Sequence, residues 1–217
     1  MMKYRLRPLA LMLLFAAVSG CASPGYYLHA ISGQIEILNK RRPVEEVLSD
    51  PNTTPQIRLQ LVLVQRLRDF ASRELELPDN RSYRSYADLE RPFVVWNVFV
   101  TPELSLEPRQ WCFVFAGCVA YRGYFARDKA ETFADGLKQD GHDVYVGGVP
   151  AYSTLGWFND PVLNTFLHRN EADLAGLLFH ELAHQVLYVS GDTAFNESFA
   201  TVVELEGMKR WFERHGT

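Results

Sequence analysis

Three cysteines in 217 residues are too few for a disulfide-stapled scaffold, and no unbroken apolar run reaches the roughly 20 residues a helix needs to cross a bilayer. Positive charge is scarce too. Lys3, Arg5 and Arg7 supply three of the 22 Lys+Arg, so the chain beyond residue 20 holds 19 against 26 Asp+Glu, a net charge of -7. Such an acidic chain lacks the basic footprint of a nucleic-acid binder. Internal repeats and low-complexity tracts are absent, which excludes repeat arrays. What remains is the composition of a packed globule: 47% of residues are apolar, and 197 residues after position 20 suffice for one domain, 21–217, with its own hydrophobic core.

Residues 1–20 form a separate segment. Lys3, Arg5 and Arg7 give it a positive start, Leu9 to Val18 is a short apolar run, and Val18-Ser19-Gly20 places small residues before Cys21. This is the order of a bacterial lipoprotein signal, whose cleavage leaves Cys21 as a lipidated N-terminus; an ordinary signal peptide or an uncleaved anchor is the alternative. The expected location is the cell envelope, membrane-anchored through lipid and facing the periplasm. Ala22, where an acidic residue would mark inner-membrane retention, points to the outer membrane. Cys112 and Cys118 are then an even pair in an oxidising compartment. They read as a disulfide closing a short loop, with two buried thiols as the alternative.

Chemistry enters at His180-Glu181-Leu182-Ala183-His184, an H-E-x-x-H pattern. Helix positions i and i+4 share a face, so both imidazoles can reach one cation, zinc above all, while the intervening glutamate sits close enough to act as base on water beside it. Asn170 is an N-cap candidate, Glu171 and Asp173 put carboxylates in the first turn, and Gly191 offers a stop. Between them Leu174, Leu177, Leu178, Leu182, Val186 and Val189 recur at three- and four-residue steps, which predicts one amphipathic helix through the motif. Two histidines bonded to backbone in an apolar core would be the bland alternative. A third ligand is at hand in Glu197, at the start of a second helix running from Asn196 to about Trp211. A short connection would fold that helix back against the first. Glu204, two turns further on, could orient a ligand or lie on the surface, and Glu206 reads as solvated. His29, His142, His168 and His215 lack partner spacing.

The rest of the chain predicts an α+β fold. Leu28, Ile31, Ile35 and Leu38 give helical spacing over 26–40, and Ile57, Leu61, Val64, Leu67 and Phe70 do so over 55–76. From Tyr83 to Phe125, aromatic and β-branched residues broken by Pro92, Pro102 and Pro108 predict strands and turns, with a further strand near 143–146. The expected architecture is a helical N-terminal part and a small mixed sheet packed against the metal helix, followed by the glutamate-bearing helix.

HELAH followed by Asn196-Glu197-Ser198-Phe199-Ala200 resembles the gluzincin group of zinc peptidases. More narrowly, the chain is similar to a family of bacterial lipoproteins described as zinc aminopeptidases. The similarity extends through Phe93-Val94-Val95-Trp96-Asn97-Val98, Tyr121-Arg122-Gly123-Tyr124-Phe125, 143–148 and Ala151-Tyr152-Ser153-Thr154-Leu155-Gly156-Trp157-Phe158. It implies a zincin-like fold, zinc at His180, His184 and Glu197, Glu181 as general base, and a peptide substrate. By analogy with such enzymes, Gly147 to Trp157 stands where a substrate-binding edge strand would. Gly147 and Gly148 would admit close backbone approach there, Tyr152 could contact substrate, and Trp157 reads as a core aromatic. Asp160 could anchor a substrate amine, although an Asn-Asp-Pro turn accounts for it. Two departures stand out: the His184 to Glu197 gap is shorter than in well-known gluzincins, and the chain stops about one helix after Glu197, as if truncated. An envelope lipoprotein with a structural or catalytically silent zinc, acting as a binding or scaffold module, is the competing expectation.

Overall fold

The computed structural model describes residues 24–113 and 117–216, so the segment 1–20 read as a signal, and Cys21, lie outside the described residues. In chain order the elements are α1 (Pro24–Lys40), β1 (Arg42–Pro43), α2 (Val44–Ser49), α3 (Pro55–Glu74), β2 (Ser85–Ala87), β3 (Val95–Pro102), β4 (Trp111–Phe113), β5 (Gly117–Val119), β6 (Arg122–Tyr124), α4 (Arg127–Gln139), β7 (His142–Val149), β8 (Val162–Leu163), α5 (Asn164–Leu167), α6 (Glu171–His184) and α7 (Thr193–His215). The fold is mixed α+β with small sheets, of order β1-β2-β8, β6-β3-β7 and β4-β5. Among the described residues no helix is long and apolar enough to cross a membrane. Two compact units emerge, one from residues up to Gln34 with Asn97–Val146, the other from Ile35–Trp96 with Gly147 onward.

The first unit is built on aromatics. The Arg122 guanidinium lies over the rings of Tyr26 and Phe133 at 4.2 and 4.6 Å, a cation–π arrangement that lets a charged group sit among apolar neighbours. Cys112 and Cys118 face each other across β4 and β5 and are joined by a disulfide. Along β3 every second residue is buried, so Val98 and Val100 point inward as a period-two pattern requires. Helix α1 corrects the expected apolar stripe. Leu28, Ile31 and Ile35 face outward, and the inward side carries Gly33, against which the Phe125 ring lies. On that side Tyr26 meets Tyr124 edge-on, and His29 packs tilted against Tyr124 and edge-on against Phe125, the geometries aromatic rings favour.

The second unit carries the H-E-x-x-H helix. Helix α3 starts at Thr54, whose hydroxyl accepts from the Ile57 N–H, with Pro55 in the first turn, where a missing N–H costs nothing. It buries Leu61, Val64, Leu67 and Phe70, as their spacing predicts. Arg68 is fully buried on the same helix, and its guanidinium donates to the carbonyls of Pro78, Asn80 and Ser82. One side chain thus ties down the 78–82 segment. Strand β2 pairs antiparallel with β1 and parallel with β8, giving a short mixed sheet. Helix α6, expected to pack against a sheet, packs chiefly on helices α7 and α3 instead. Two glycines permit the α6–α7 contact. A Cβ on Gly207 would come within 2.7 Å of the Phe179 ring, and one on Gly176 within 3.0 Å of Glu204. Trp211, 1% exposed, closes the far end by donating from Nε1 to Glu171 at 2.8 Å and packing edge-on against Phe70.

Candidate metal centre

Asn170 caps α6 as expected, accepting from the Asp173 N–H at 2.9 Å. The C-terminal end differs. The apolar repeat continues to Val189, yet the helix stops at His184, with Gln185 as C-cap, and Val186 and Val189 are exposed. The short connection explains this. Five more helical residues would carry the chain about 7 Å further from the histidines before it could turn back. Instead the 186–189 segment peels away, and Asn196, 1% exposed, grips it: its amide donates to the Val189 carbonyl and accepts from the Val189 N–H, both at 2.8 Å. Gly191 takes a positive φ of 84° at the turn. Asp192 then caps α7 by accepting from the Phe195 N–H at 3.0 Å, so that helix begins three residues before Asn196 and runs on to His215.

This reversal brings Glu197 to the histidines. His180 Nε2 lies 3.2 Å from His184 Nε2 and 3.2 Å from Glu197 Oε2, and His184 Nε2 lies 3.7 Å from Glu197 Oε1. Tetrahedral coordination with bonds of 2.0–2.1 Å sets neighbouring ligand atoms about 3.3 Å apart. The two 3.2 Å separations are close to that spacing, the 3.7 Å one is to the other carboxylate oxygen, and the group could hold a metal ion. Second contacts favour the ligating form. His180 Nδ1 donates to Glu204 Oε2 at 2.9 Å, which leaves its Nε2 lone pair facing the group. Burial and the neighbouring His180 push the His184 pKa down, against the pull of Glu197, which favours the neutral ring. His184 Nδ1 is buried without a protein partner. Glu206 is exposed and pairs instead with Arg210 at 2.8 Å.

Glu181 lies beside the triad in a different environment. Burial raises its pKa to about 7; His180 lowers it, Asp160 and Glu197 raise it, and a hydrogen bond from Ser153 lowers it. A carboxyl poised near neutrality can both take and give a proton at ordinary pH. Tyr83, 3% exposed and at a positive φ of 63°, feels both the Glu181 and Asp160 charges, and burial pushes its phenol well up. A cleft of about 320 Å³ runs along α6 past His180 and Glu181, between Gly176 and Leu177 on one side and Glu204 and Met208 on the other.

The remaining expected residues fall outside this cluster or take other parts. Gly148 lies under the Phe93 ring, where a Cβ would come within 2.3 Å, so the close approach it permits is taken by the protein itself. The segment expected as an edge strand ends at Val149 and becomes a turn. There Leu155 and Gly156 both have positive φ, and Trp157, expected in the core, is 77% exposed. Tyr152 is half-buried, its phenol pushed up by burial and by Asp160. Asp160 is itself buried, which raises its pKa against the hydrogen bonds of Thr154 and Ser153. Of the four other histidines, His29 accepts from the Phe125 N–H, His215 stacks on Trp211, and His168 lies on the surface near the Asn164 carbonyl. The contributions of Ser153, Asp160 and Asn196 escaped sequence reasoning, because each depends on a partner remote in the chain or on the path of a turn.

Comparison with curated proteins and comparison with solved structures each found no significant match. One family model, described as "Putative aminopeptidase", matches residues 25–217 and therefore nearly all of the described chain, His180, Glu181, His184 and Glu197 included; the chain belongs to this family, whose description names a peptidase.

Proposed function

We propose that the protein is a zinc aminopeptidase of the gluzincin type, with His180, His184 and Glu197 as metal ligands and Glu181 as general base. The observation that carries this reading is the convergence of two Nε2 atoms, 3.2 Å apart, with the Glu197 carboxylate, whose oxygens lie 3.2 and 3.7 Å from them, next to a buried glutamate that is not part of the group. Zinc suits a donor set of two imidazoles and one carboxylate, which leaves a fourth position for solvent or substrate. When bound, the ion supplies Lewis acidity to the scissile carbonyl and to the attacking water. The side chains do the rest. Glu181 accepts a proton from the water as its oxygen bonds to the carbonyl carbon, then returns that proton to the departing amine as the C–N bond breaks. Glu204 holds the His180 ring in the ligating tautomer. The cleft along α6 offers room for a peptide beside Glu181.

Residues 1–20 and Cys21 support a further part of the proposal, that the enzyme is lipid-anchored in the bacterial envelope, in the outer membrane and facing the periplasm.

The test joins metal content to turnover. Purified protein should carry one zinc per chain and release residues from peptides with a free N-terminus but not from N-blocked ones. Glu181→Gln should keep the metal and lose at least about 100-fold in kcat. Undiminished turnover by that variant would overturn the mechanism, and cleavage of blocked peptides would replace the aminopeptidase assignment with an endopeptidase.

A further inference from the structure

The cleft along α6 runs from His180 and Glu181 toward the start of that helix, and Arg169, one residue ahead of the Asn170 cap, stands at its far end. The Arg169 backbone is fixed: its N–H donates to the Phe166 carbonyl at 3.1 Å, and its carbonyl accepts from the Gln60 amide at 3.1 Å. The guanidinium is uncommitted, making no hydrogen bond or ion pair among the described residues. Carboxylates along the same cleft have other partners. Glu204 accepts from His180 Nδ1 at 2.9 Å, and Asp173 accepts from the Asn170 amide at 3.0 Å. Arg169 also borders a second cleft of about 640 Å³, and there the other guanidinium, Arg91, is already held by both oxygens of Glu36 at 2.8 and 2.9 Å. Between Arg169 and Glu181 the lining includes small or apolar residues, Ala172, Gly176, Leu177 and Met208, which suit the passage of a peptide.

We propose that Arg169 binds a carboxylate of the peptide substrate and so selects short peptides whose negative end lies a few residues beyond the scissile bond. The proposal rests on the peptidase assignment above. A guanidinium meets a carboxylate through two parallel N–H···O bonds, which fix orientation as well as supplying energy. From residue 169 to residue 180 the chain is nearly all helix, so at 1.5 Å per residue the two Cα atoms lie roughly 16 Å apart. Side-chain reach shortens that gap, and an extended peptide covers about 3.3–3.6 Å per residue, which places the carboxylate roughly three to five residues beyond the bond that is cut. With one residue ahead of that bond, the preferred substrates are roughly four to six residues long. Place matters as well as charge. Asp173 and Glu204 line the intervening stretch, so an acidic group is repelled there and accepted only at the Arg169 end.

The test uses leucyl-oligoalanine peptides of two to about nine residues, each as the free acid and as the C-terminal amide, with the zinc-loaded full chain. Wild type should favour acid over amide by about 10-fold in kcat/KM, most strongly at roughly four to six residues and little at two. Arg169→Met should abolish that preference by raising KM for the acids, with kcat within about twofold of wild type. Arg169→Lys keeps the charge without the planar fork and should retain part of the preference, whereas Arg169→Glu should reverse it toward amides. An amide carrying aspartate at about the fourth or fifth position, if cleaved as well as the free acid, would also support the anchor and would assign the charge to a side chain rather than the terminus. Calorimetry with zinc-loaded Glu181→Gln protein gives the same comparison without turnover. Equal handling of acids and amides at every length, or a preference that survives Arg169→Met, would overturn the proposal. Failure of the peptidase reading shows differently: wild type then cleaves no peptide, while calorimetry still reports whether acids bind more tightly than amides and whether Arg169→Met removes the difference.

Discussion

Asn196→Ala probes the feature that brings the histidine-bearing and Glu197-bearing helices together. The Asn196 amide makes two bonds of 2.8 Å to the backbone of one residue, Val189, and its side chain is almost wholly buried. Each such bond contributes about 1 kcal/mol net, and a buried group left unpaired costs about 1–3 kcal/mol. Val189 is 41% exposed, so water can reach its backbone once the amide is gone and recover part of the loss. The expected cost is therefore near the sum of the two net bonds, about 2 kcal/mol. For a chain of this size that lowers Tm by about 4–8 °C. Asn196→Asp sharpens the test, because a carboxylate can still accept from the Val189 N–H but presents negative charge to the Val189 carbonyl. It should be at least as destabilising as alanine at pH 8. Thermal melts of the metal-free protein give the intrinsic effect, and melts in excess zinc reveal whether loosening the connection also weakens the site. An Asn196→Ala melt within about 1 °C of wild type would refute the reasoning and show that the reversal is held elsewhere.

Glu204→Gln keeps an acceptor for His180 Nδ1 but removes its charge, so zinc affinity should fall by about 10- to 100-fold in chelator competition, and an unchanged affinity would remove Glu204 from the site. In metal-free protein the Glu181 pKa is raised from 4.5 to about 7, so its protonation adds stability that is fully present below pH 4.5 and lost as pH rises through 7. Glu181→Gln should therefore match wild type near pH 4.5 in denaturant unfolding but exceed it at pH 8, by up to about 3 kcal/mol; a constant difference across that range would contradict the buried carboxyl. Arg68→Met leaves the carbonyls of Pro78, Asn80 and Ser82 without their donor and should cost about 2–4 kcal/mol by urea unfolding, with a loss below about 0.5 kcal/mol ruling out the tether.

The candidate metal residues were legible because their spacing is local. His180 and His184 sit four apart on a helix whose cap, Asn170, is also in the sequence, so a single turn of ordinary geometry sets their relation. Glu197 was reachable by adding only one short reversal. The ends of that reversal were not. Val186 and Val189 continue the apolar period of the helix, and nothing in the period announces that the chain must leave it to return Glu197 in thirteen residues. Helix α1 was legible over 26–40 and is found over Pro24–Lys40, but not its buried face: Leu28, Ile31 and Ile35 are exposed, while Tyr26 and His29 meet the rings of Tyr124 and Phe125. Trp157 reads as core by residue type, but consecutive positive φ values at Leu155 and Gly156 turn it to solvent.

What the sequence determined by itself is the identity and local spacing of the chemical groups: two imidazoles and a carboxylate on one helix, a second carboxylate soon after, and an even pair of cysteines. What only the tertiary structure decided is the environment that makes those groups useful. The Glu204 contact to His180, the Asn196 grip on Val189 and the Ser153–Asp160 contact all join residues by the path of the chain. The physical reason is range. Helical periodicity acts over a few residues and is written in the order of side chains, whereas burial and hydrogen-bond partnership depend on which segments meet, and that is settled by the packing of the whole unit.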